Sequence, residues 1–300
     1  MSGDTHYESV KLLLHCDGTD GSTTFTDSCL TPHTVTASGN AHIEVDQYKF
    51  GTASIQFDGT GDYLTSAASS DWDMGSGDFT VECWYKMATT PDANGYALIS
   101  SSISTSNRPW GINITGSNGV NVWGRTSTTY YSASSSDGAG IDTDWHHLAG
   151  VRDGSTLRVF LDGVQKATGS VSGTLQSGQH LIIGRYEWNT ASDFEGYIDD
   201  IRVTKGVARY TADFTAPTAA FPNIAGQIAG TVLDDAGDPV ARVIRAYRRD
   251  TGVLVGSTTS SAGDGSYSID STTAAECSVL CLDDAGGDDF NDLVLRVTPA

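Results

Sequence analysis

The chain has 300 residues and a formal net charge of −20, divided as −13 over residues 1–223 (12 basic, 25 acidic) and −7 over residues 224–300 (5 basic, 12 acidic). Neither part offers a basic stripe that would release counterions from a phosphate backbone or hold an anionic membrane surface, so nucleic acid and membrane are set aside as partners. Glycine is abundant, charged residues are few, and no apolar pattern of helical period runs for three turns, which reads as an all-β protein of one large and one small domain.

In chain order, Val10–Cys16 is a short apolar run stopped by Asp17-Gly18, and Thr23–Asp27 and His33–Thr36 read as further short strands. In Lys49–Leu64, Ala53, Ile55 and Phe57 alternate with Ser54, Gln56 and Asp58, the pattern of a half-buried strand. Asp58-Gly59 and Thr60-Gly61-Asp62 then predict a reversal into Tyr63 and Leu64, and hence a β-hairpin. Phe79–Met87 places Phe79, Val81, Cys83 and Tyr85 on one face; Trp84 shares the other with Thr80, Glu82 and Lys86, where a loop is expected to cover it.

Tyr96–Ser101, Trp110–Ile114 and Val120–Arg125 follow at the spacing of a meander. Trp145–Arg152 and Thr156–Leu161 are joined through Asp153-Gly154, a strong hairpin signal, with Asp162-Gly163 as the next turn. His180–Gly184 and Gly196–Val203 complete this part, and Gly206–Tyr210 reads as one helical turn. The composition changes at Thr215–Asn223, where Pro217 and Pro222 stiffen the chain, which puts a domain boundary near residue 224. Beyond it, Gly230–Leu233, Val243–Arg248, Val253–Thr258, Ser266–Ile269, Ser278–Leu282 and Leu293–Val297 are the short strands of a small β-sandwich.

The five cysteines, Cys16, Cys29, Cys83, Cys277 and Cys281, are odd in number and lack metal-type spacing. They read as reduced, with a Cys16–Cys29 bridge as the alternative. No run approaches the ~20 apolar residues of a membrane helix, and Met1-Ser2-Gly3-Asp4 has no signal-peptide layout, so the expectation is a protein made in the cytoplasm and used soluble.

Five blocks in order, L-L-L-H-C-D-G-T-D-G-S-T-T-F-T-D-S (12–28), K-F-G-T-A-S-I-Q-F-D-G-T-G-D-Y-L (49–64), G-D-F-T-V-E-C-W (77–84), the run 145–164 from Trp145 to Val164 and the run 196–222 from Gly196 to Pro222, carry a resemblance. Residues 1–223 resemble a laminin-G-like, concanavalin-A-like jelly roll of the version common in tailed-bacteriophage virion proteins. Residues 224–300, through 230–252 and 290–299, resemble a small carboxypeptidase-regulatory-like, transthyretin-like sandwich of the immunoglobulin type. The resemblance implies a virion protein assembled in the host cytoplasm, homo-oligomeric in the particle, with other virion proteins as partners. It would display a lectin-like module for host-surface glycan as a tail or fibre component; the alternative is a decoration protein that only reinforces capsid or tail.

Catalysis has no sequence support. A glucanase of this class needs paired carboxylates at i and i+2 or i+4 of one strand face, and Glu82 stands alone in its strand. His146-His147 has no serine or cysteine placed beside it and reads as structural. The resemblance also implies that Ca²⁺, where present, sits at the sandwich edge, with Asp62 from one loop and Glu187, Asn189 and Asp193 from another as oxygen donors; the alternative is that these are ordinary turn and loop residues. Of Asp199 and Asp200 only one can face such a site, and the other is expected to pair with Arg202 or Arg185. Tyr186, Trp188 and Phe194, with the amide of Asn189 and with Tyr130-Tyr131 in another loop, are candidates for stacking on a sugar, or else pack the sandwich edge. The acidic run 283–289 reads as a solvated turn, and Arg245, Arg248 and Arg249 are expected to dock on it or on a partner's acidic face.

Overall fold

The computed structural model describes residues 3–299 except 103, 105, 117–118, 139, 141, 178–179, 188, 235 and 283–292. The chain separates into two compact units, Ser9–Phe221 and a second that joins the described residues of Met1–Glu8 to Pro222–Ala300.

In the larger unit the strands run β1 (Val10–Leu14), β2 (Thr24–Phe25), β3 (Val35–Ser38), β4 (His42–Glu44), β5 (Ser54–Asp58), β6 (Tyr63–Ser66), β7 (Phe79–Met87) and β8 (Tyr96–Ser101). They continue as β9 (Trp110–Thr115), β10 (Gly119–Arg125), β11 (Tyr130–Ser134), β12 (His146–Asp153), β13 (Thr156–Leu161), β14 (Val164–Ser170), β15 (Leu181–Ile183) and β16 (Glu195–Lys205). Two eight-stranded antiparallel sheets result, one ordered β14-β13-β12-β7-β16-β5-β4 with β1 also on β16, the other β11-β10-β9-β8-β15-β6-β3-β2. Alternation in the strands fills the space between them with Phe57, Phe79, Tyr85, Trp110, Ile112, Val122 and Leu148, joined by Trp72 and Phe194 from the connecting segments, all within 1% of complete burial. This is the concanavalin-A-like sandwich.

The meander β8 to β10 and both tight turns form where the sequence places them, and the meander continues into β11, so Tyr130 and Tyr131 stand in a strand rather than in the expected loop. β12 and β13 meet at Asp153↔Thr156 around Gly154 (φ 56°), and β13 and β14 turn through Asp162 (φ 51°) and Gly163 (φ 81°). The Lys49–Leu64 hairpin does not form. β5 pairs with β4 and β16 in the first sheet, whereas β6 pairs with β3 and β15 in the second. The segment between them is therefore an arch across the sandwich, closed by the buried Asp62 carboxylate, which accepts from the amides of Asp58 (2.8 Å) and Asn40. Alternation fixes which side chains point inward; it does not name the neighbouring strand.

Gly206–Tyr210 also forms no helical turn. Residues 206–221 run as an irregular strap over the outer face of the first sheet, pinned by Val207 O to Thr80 Oγ1 (3.0 Å), Asp213 to the Gln165 amide (2.8 Å) and the Phe214 amide to Gly163 O (2.9 Å). All five cysteines are free thiols, so neither Cys16 nor Cys29 is bridged.

The second unit holds β17 (Gly226–Thr231), β18 (Val243–Arg248), β19 (Leu254–Thr259), β20 (Ser266–Ser271), β21 (Cys277–Leu282) and β22 (Leu293–Val297). Sheets β17-β20 and β19-β18-β21-β22 enclose Ile228, Ile244, Ala246, Ile269, Cys277 and Val279. Arg248 pairs with Asp250 (2.8 Å) and Glu8 (3.0 Å), and Arg249 with Glu276 (3.4 Å). The acidic run 283–289 lies outside the described residues.

Candidate functional site

A two-sheet sandwich has two outer faces, and here they differ. On the first sheet, Glu82 is fully buried on the outer side of β7, where Arg202 (Nε 2.9 Å), His147 Nε2 (3.1 Å) and the Tyr210 hydroxyl (2.9 Å) converge on its carboxylate. Burial alone would raise this acid, but Arg202 and His147 bring it down to about 2. Phe214 and Phe221 lie edge-on to the His147 ring, and Tyr210 stacks on Phe214 at 3.6 Å, so the strap excludes solvent from the group. A carboxylate held ionised by an arginine and shut off from water serves structure, not proton transfer. His146 is equally committed, to Asp162 (2.7 Å) and Asp142 (2.9 Å).

Further along the same face Trp84 is 4% exposed, capped by the Lys49 ammonium (3.9 Å from the ring centroid) and the edge of Phe50 (5.6 Å). A loop covers it, as its position among charges required. Asp199 and Asp200 are both buried at the bulge where β16 passes from β5 to β1. Asp199 accepts from the amides of Lys49 (2.7 Å), Phe50 (3.0 Å) and Asp200 (2.7 Å); Asp200, at φ 46°, holds His15 Nδ1 (2.9 Å) and the Phe221 amide (2.8 Å). Their work is to tie three backbone segments to β16, while Arg202 turns to Glu82 and Arg185 to Asp193.

On the second sheet no such strap runs across the outer side among the described residues. Its residues alternate with the core ones: Asn121, Trp123 and Arg125 on β10, Gly111 and Asn113 on β9, Tyr130 on β11. Trp123 lies flat across Gly111, where a Cβ would stand 2.5 Å from the indole, so only glycine seats the ring there. Tyr130 stacks on Trp123 (centroids 6.1 Å, 25° between planes) and Tyr186 meets it edge-on at 6.3 Å. The Arg108 guanidinium sits 5.0 Å from the Tyr130 centroid, and Asn121 Nδ2 donates to Asn113 Oδ1 at 3.0 Å. Trp123 is 2% exposed and Tyr130 41%, so Tyr130 is the ring offered to solvent and Trp123 its support. Burial pushes the Tyr130 hydroxyl upward, opposed by the Asn121 amide and by Arg108 and Arg125.

Beside this patch, on the same side of the sheet, Tyr63, Thr65, Ile182, His180, Arg185 and Glu187 line a groove of about 580 Å³. Arg185 stacks over Tyr63 at 5.0 Å, and His180 pairs with Glu187 at 3.1 Å.

The residues singled out in sequence are scattered among these features. Tyr186 joins the patch and Tyr130 proves to be its exposed ring, whereas Phe194 is core, edge-on to Phe57 (6.0 Å) and Tyr96 (5.5 Å). Trp188 lies outside the described residues. Asn189 caps a short 3₁₀ turn, Thr190–Ser192, accepting from the Ala191 amide and donating to Ser192 Oγ. Asp62 and Asp193 do meet, at the arch: Asp193 accepts from the Gly61 amide (2.8 Å), and burial raises it against the pull of that amide and of Arg185. Glu187 is drawn instead to His180. Calcium takes six to eight oxygens, and an arginine at 3.4 Å already occupies the cation position at Asp193; this arrangement does not fit the ion as it stands. Among the described residues no group of three or more His, Cys, Asp or Glu is placed to hold a metal.

Trp123, Arg108, Asn121 and Gly111 were missed in sequence. The signal was present in Val120-Asn121-Val122-Trp123: the valines claim the core side, which leaves the amide and the indole outside.

Comparison with known proteins agrees with this architecture. Domain 4 of AbnA, a GH43 extracellular arabinanase from Geobacillus stearothermophilus solved with arabinotriose, superposes with TM-score 0.51 at 17% identity over 69% of this chain and 95% of its own. The binding domain of Paraclostridial Mosquitocidal Protein 1 gives 0.55 at 10% identity, covering 97% of this chain and 76% of its own. The botulinum neurotoxin serotype D binding domain gives 0.51 at 12%, covering 94% and 74%. At such identities the likeness is one of fold. No curated protein matches the chain in sequence. The laminin G type 3 profile, described as Concanavalin A-like lectin/glucanases superfamily, matches residues 58–209, half of the chain, and the chain belongs to that family.

Proposed function

We propose that the protein is a non-enzymatic glycan-binding module whose site is the Tyr130 patch on the outer face of the second sheet. One observation carries the reading: of two outer faces, one is sealed by the 206–221 strap, and the other offers an aromatic ring braced on a buried indole, with amides and a guanidinium around it. Apolar ring faces of a sugar stack on such a surface while its hydroxyls bond to amides and arginines. Two of the fold relatives are binding domains and the third, a domain of an arabinanase, was solved in complex with arabinotriose, which supports binding over catalysis.

The setting that best accommodates the five sequence blocks is the particle of a tailed bacteriophage, with this unit displayed as a tail or fibre component and the transthyretin-like second unit as a companion for attachment to other virion proteins. Decoration of capsid or tail is the rival. Tyr130→Ala is expected to weaken binding of an oligosaccharide panel about tenfold while lowering the melting temperature only slightly, since the ring is partly exposed and its loss uncovers one side of Trp123. Wild-type protein that retains no oligosaccharide sinks the glycan reading and favours decoration. Calcium belongs to this reading only at Asp62 and Asp193, and it would have to displace Arg185; a chelator is expected to leave the melting curve where it was, and a chelator-dependent drop would restore the ion.

A further inference from the structure

We propose that the Tyr130 site takes an acidic glycan, one bearing a carboxylate or a sulfate, with Arg108 and Arg125 as the residues that select it. The inference rests on the glycan-binding reading above and adds the charge of the ligand.

Two arginines at one aromatic ring are unexpected in a chain of net charge −20. Elsewhere in the same unit Arg202 faces Glu82, Arg185 Asp193, Arg158 Asp153 and Lys166 Asp137, while Arg152 is met by the carbonyls of Gly154, Gly75 and Gly173. Arg125 stands directly across the ladder from Tyr130, on the same outer side. The charges that bear on the Tyr130 hydroxyl are Arg108 and Arg125, both positive. A neutral sugar is served by a ring and amides; a pair of guanidinium groups is the fork that binds carboxylate or sulfate oxygens two at a time.

The pair is also held in place before any ligand arrives. The Arg125 amide donates to Pro109 O (2.8 Å), the Gln176 amide to Arg125 O (2.8 Å), and the Arg108 amide to Gln176 Oε1 (3.1 Å). The loop carrying Arg108 is thereby fixed to the end of the strand carrying Arg125, which removes ordering entropy from binding. Among the described residues, Arg125 Nε and Asn121 Oδ1 at the patch are buried atoms with no hydrogen-bond partner, and the Asn121 residue is 93% buried. One is a donor for an anion and the other an acceptor for a hydroxyl, the two functions an acidic sugar presents.

The test is a panel of sialylated, uronate-containing and sulfated oligosaccharides, each beside its desialylated, carboxyl-reduced or desulfated counterpart, titrated against the full chain. At least one acidic class is expected to bind about tenfold or more tightly than its neutral counterpart, with affinity falling as salt rises. Which pair shows the difference separates carboxylate from sulfate. Arg108→Gln with Arg125→Gln is expected to abolish the preference, bringing the acidic and neutral partners to equal affinity; Arg125→Lys, which keeps the charge and loses the fork, should lose part of it. Equal binding of acidic and neutral partners overturns the inference and leaves the glycan reading standing. A preference that survives in the folded double variant overturns the assignment to these arginines, and retention of no glycan at all overturns the reading beneath it.

Discussion

Glu82→Ala is expected to lower the stability of the larger unit by about 3–5 kcal/mol, read as a fall in the urea midpoint at unchanged slope. The substitution leaves Arg202 buried with its charge and His147 and Tyr210 without their acceptor, beneath phenylalanines that admit no water. The pH dependence follows from the same contacts. Glu82 is held at about 2, below its ordinary 4.5, so its contribution is full above about pH 4.5 and disappears as pH falls toward 2. Unfolding of the wild type below pH 4 should therefore be steeper than that of Glu82→Gln, which keeps the shape and has no charge to lose. A midpoint in Glu82→Ala within 1 kcal/mol of wild type would show that the strap holds without the carboxylate.

At the other end of the pH scale, the cluster at the β16 bulge is expected to make the protein less stable as the solution becomes alkaline. Burial raises Asp199 from 3.8 to about 7 against the amides that bond to it, and raises Asp200 against the pull of His15. His15 is raised in turn, its partner Asp200 outweighing burial. All three groups bind protons more tightly in the folded state. Stability from Asp199 is thus complete below about pH 4 and lost as pH rises through 7, by on the order of 4 kcal/mol from a shift of this size. Thermal unfolding between pH 5 and pH 9 should show a falling midpoint, and Asp199→Asn, which cannot ionise, should flatten it. A midpoint that climbs through neutrality in the wild type contradicts this account.

Together the two effects confine maximal stability to mildly acidic pH. They also show why the same sheet face is poor ground for chemistry: its ionisable groups are paired with one another or with backbone, and the strap covers them.

How far the sequence could be read is clearest in particular residues. Phe57, Cys83 and Tyr85 are core because alternation put them on the apolar side, and both tight hairpins follow from Asp-Gly pairs whose backbone angles few other residues adopt. Trp84 could be read as covered because a large ring among charges needs shelter. The Lys49–Leu64 reversal could not be read, since an arch between sheets and a hairpin within one have the same glycines and the same inward residues. Glu82, alone in its strand, gave no hint of partners drawn from positions 147, 202 and 210.

The site shows the same division. The sequence by itself determined the class of fold, the inward and outward residue sets of each strand, the placing of Tyr130 and Tyr186 among the candidates, and the absence of a paired-carboxylate strand motif, because these depend on spacing along one segment. Only the tertiary structure decided that Tyr186 joins Trp123 while Phe194 turns inward, that Asp193 faces Arg185, and that Arg108 from one loop and Arg125 from a strand end stand at one ring. Those arrangements depend on which strands are neighbours and on which face a strap covers, and contacts between residues distant in the chain leave no periodic mark in it.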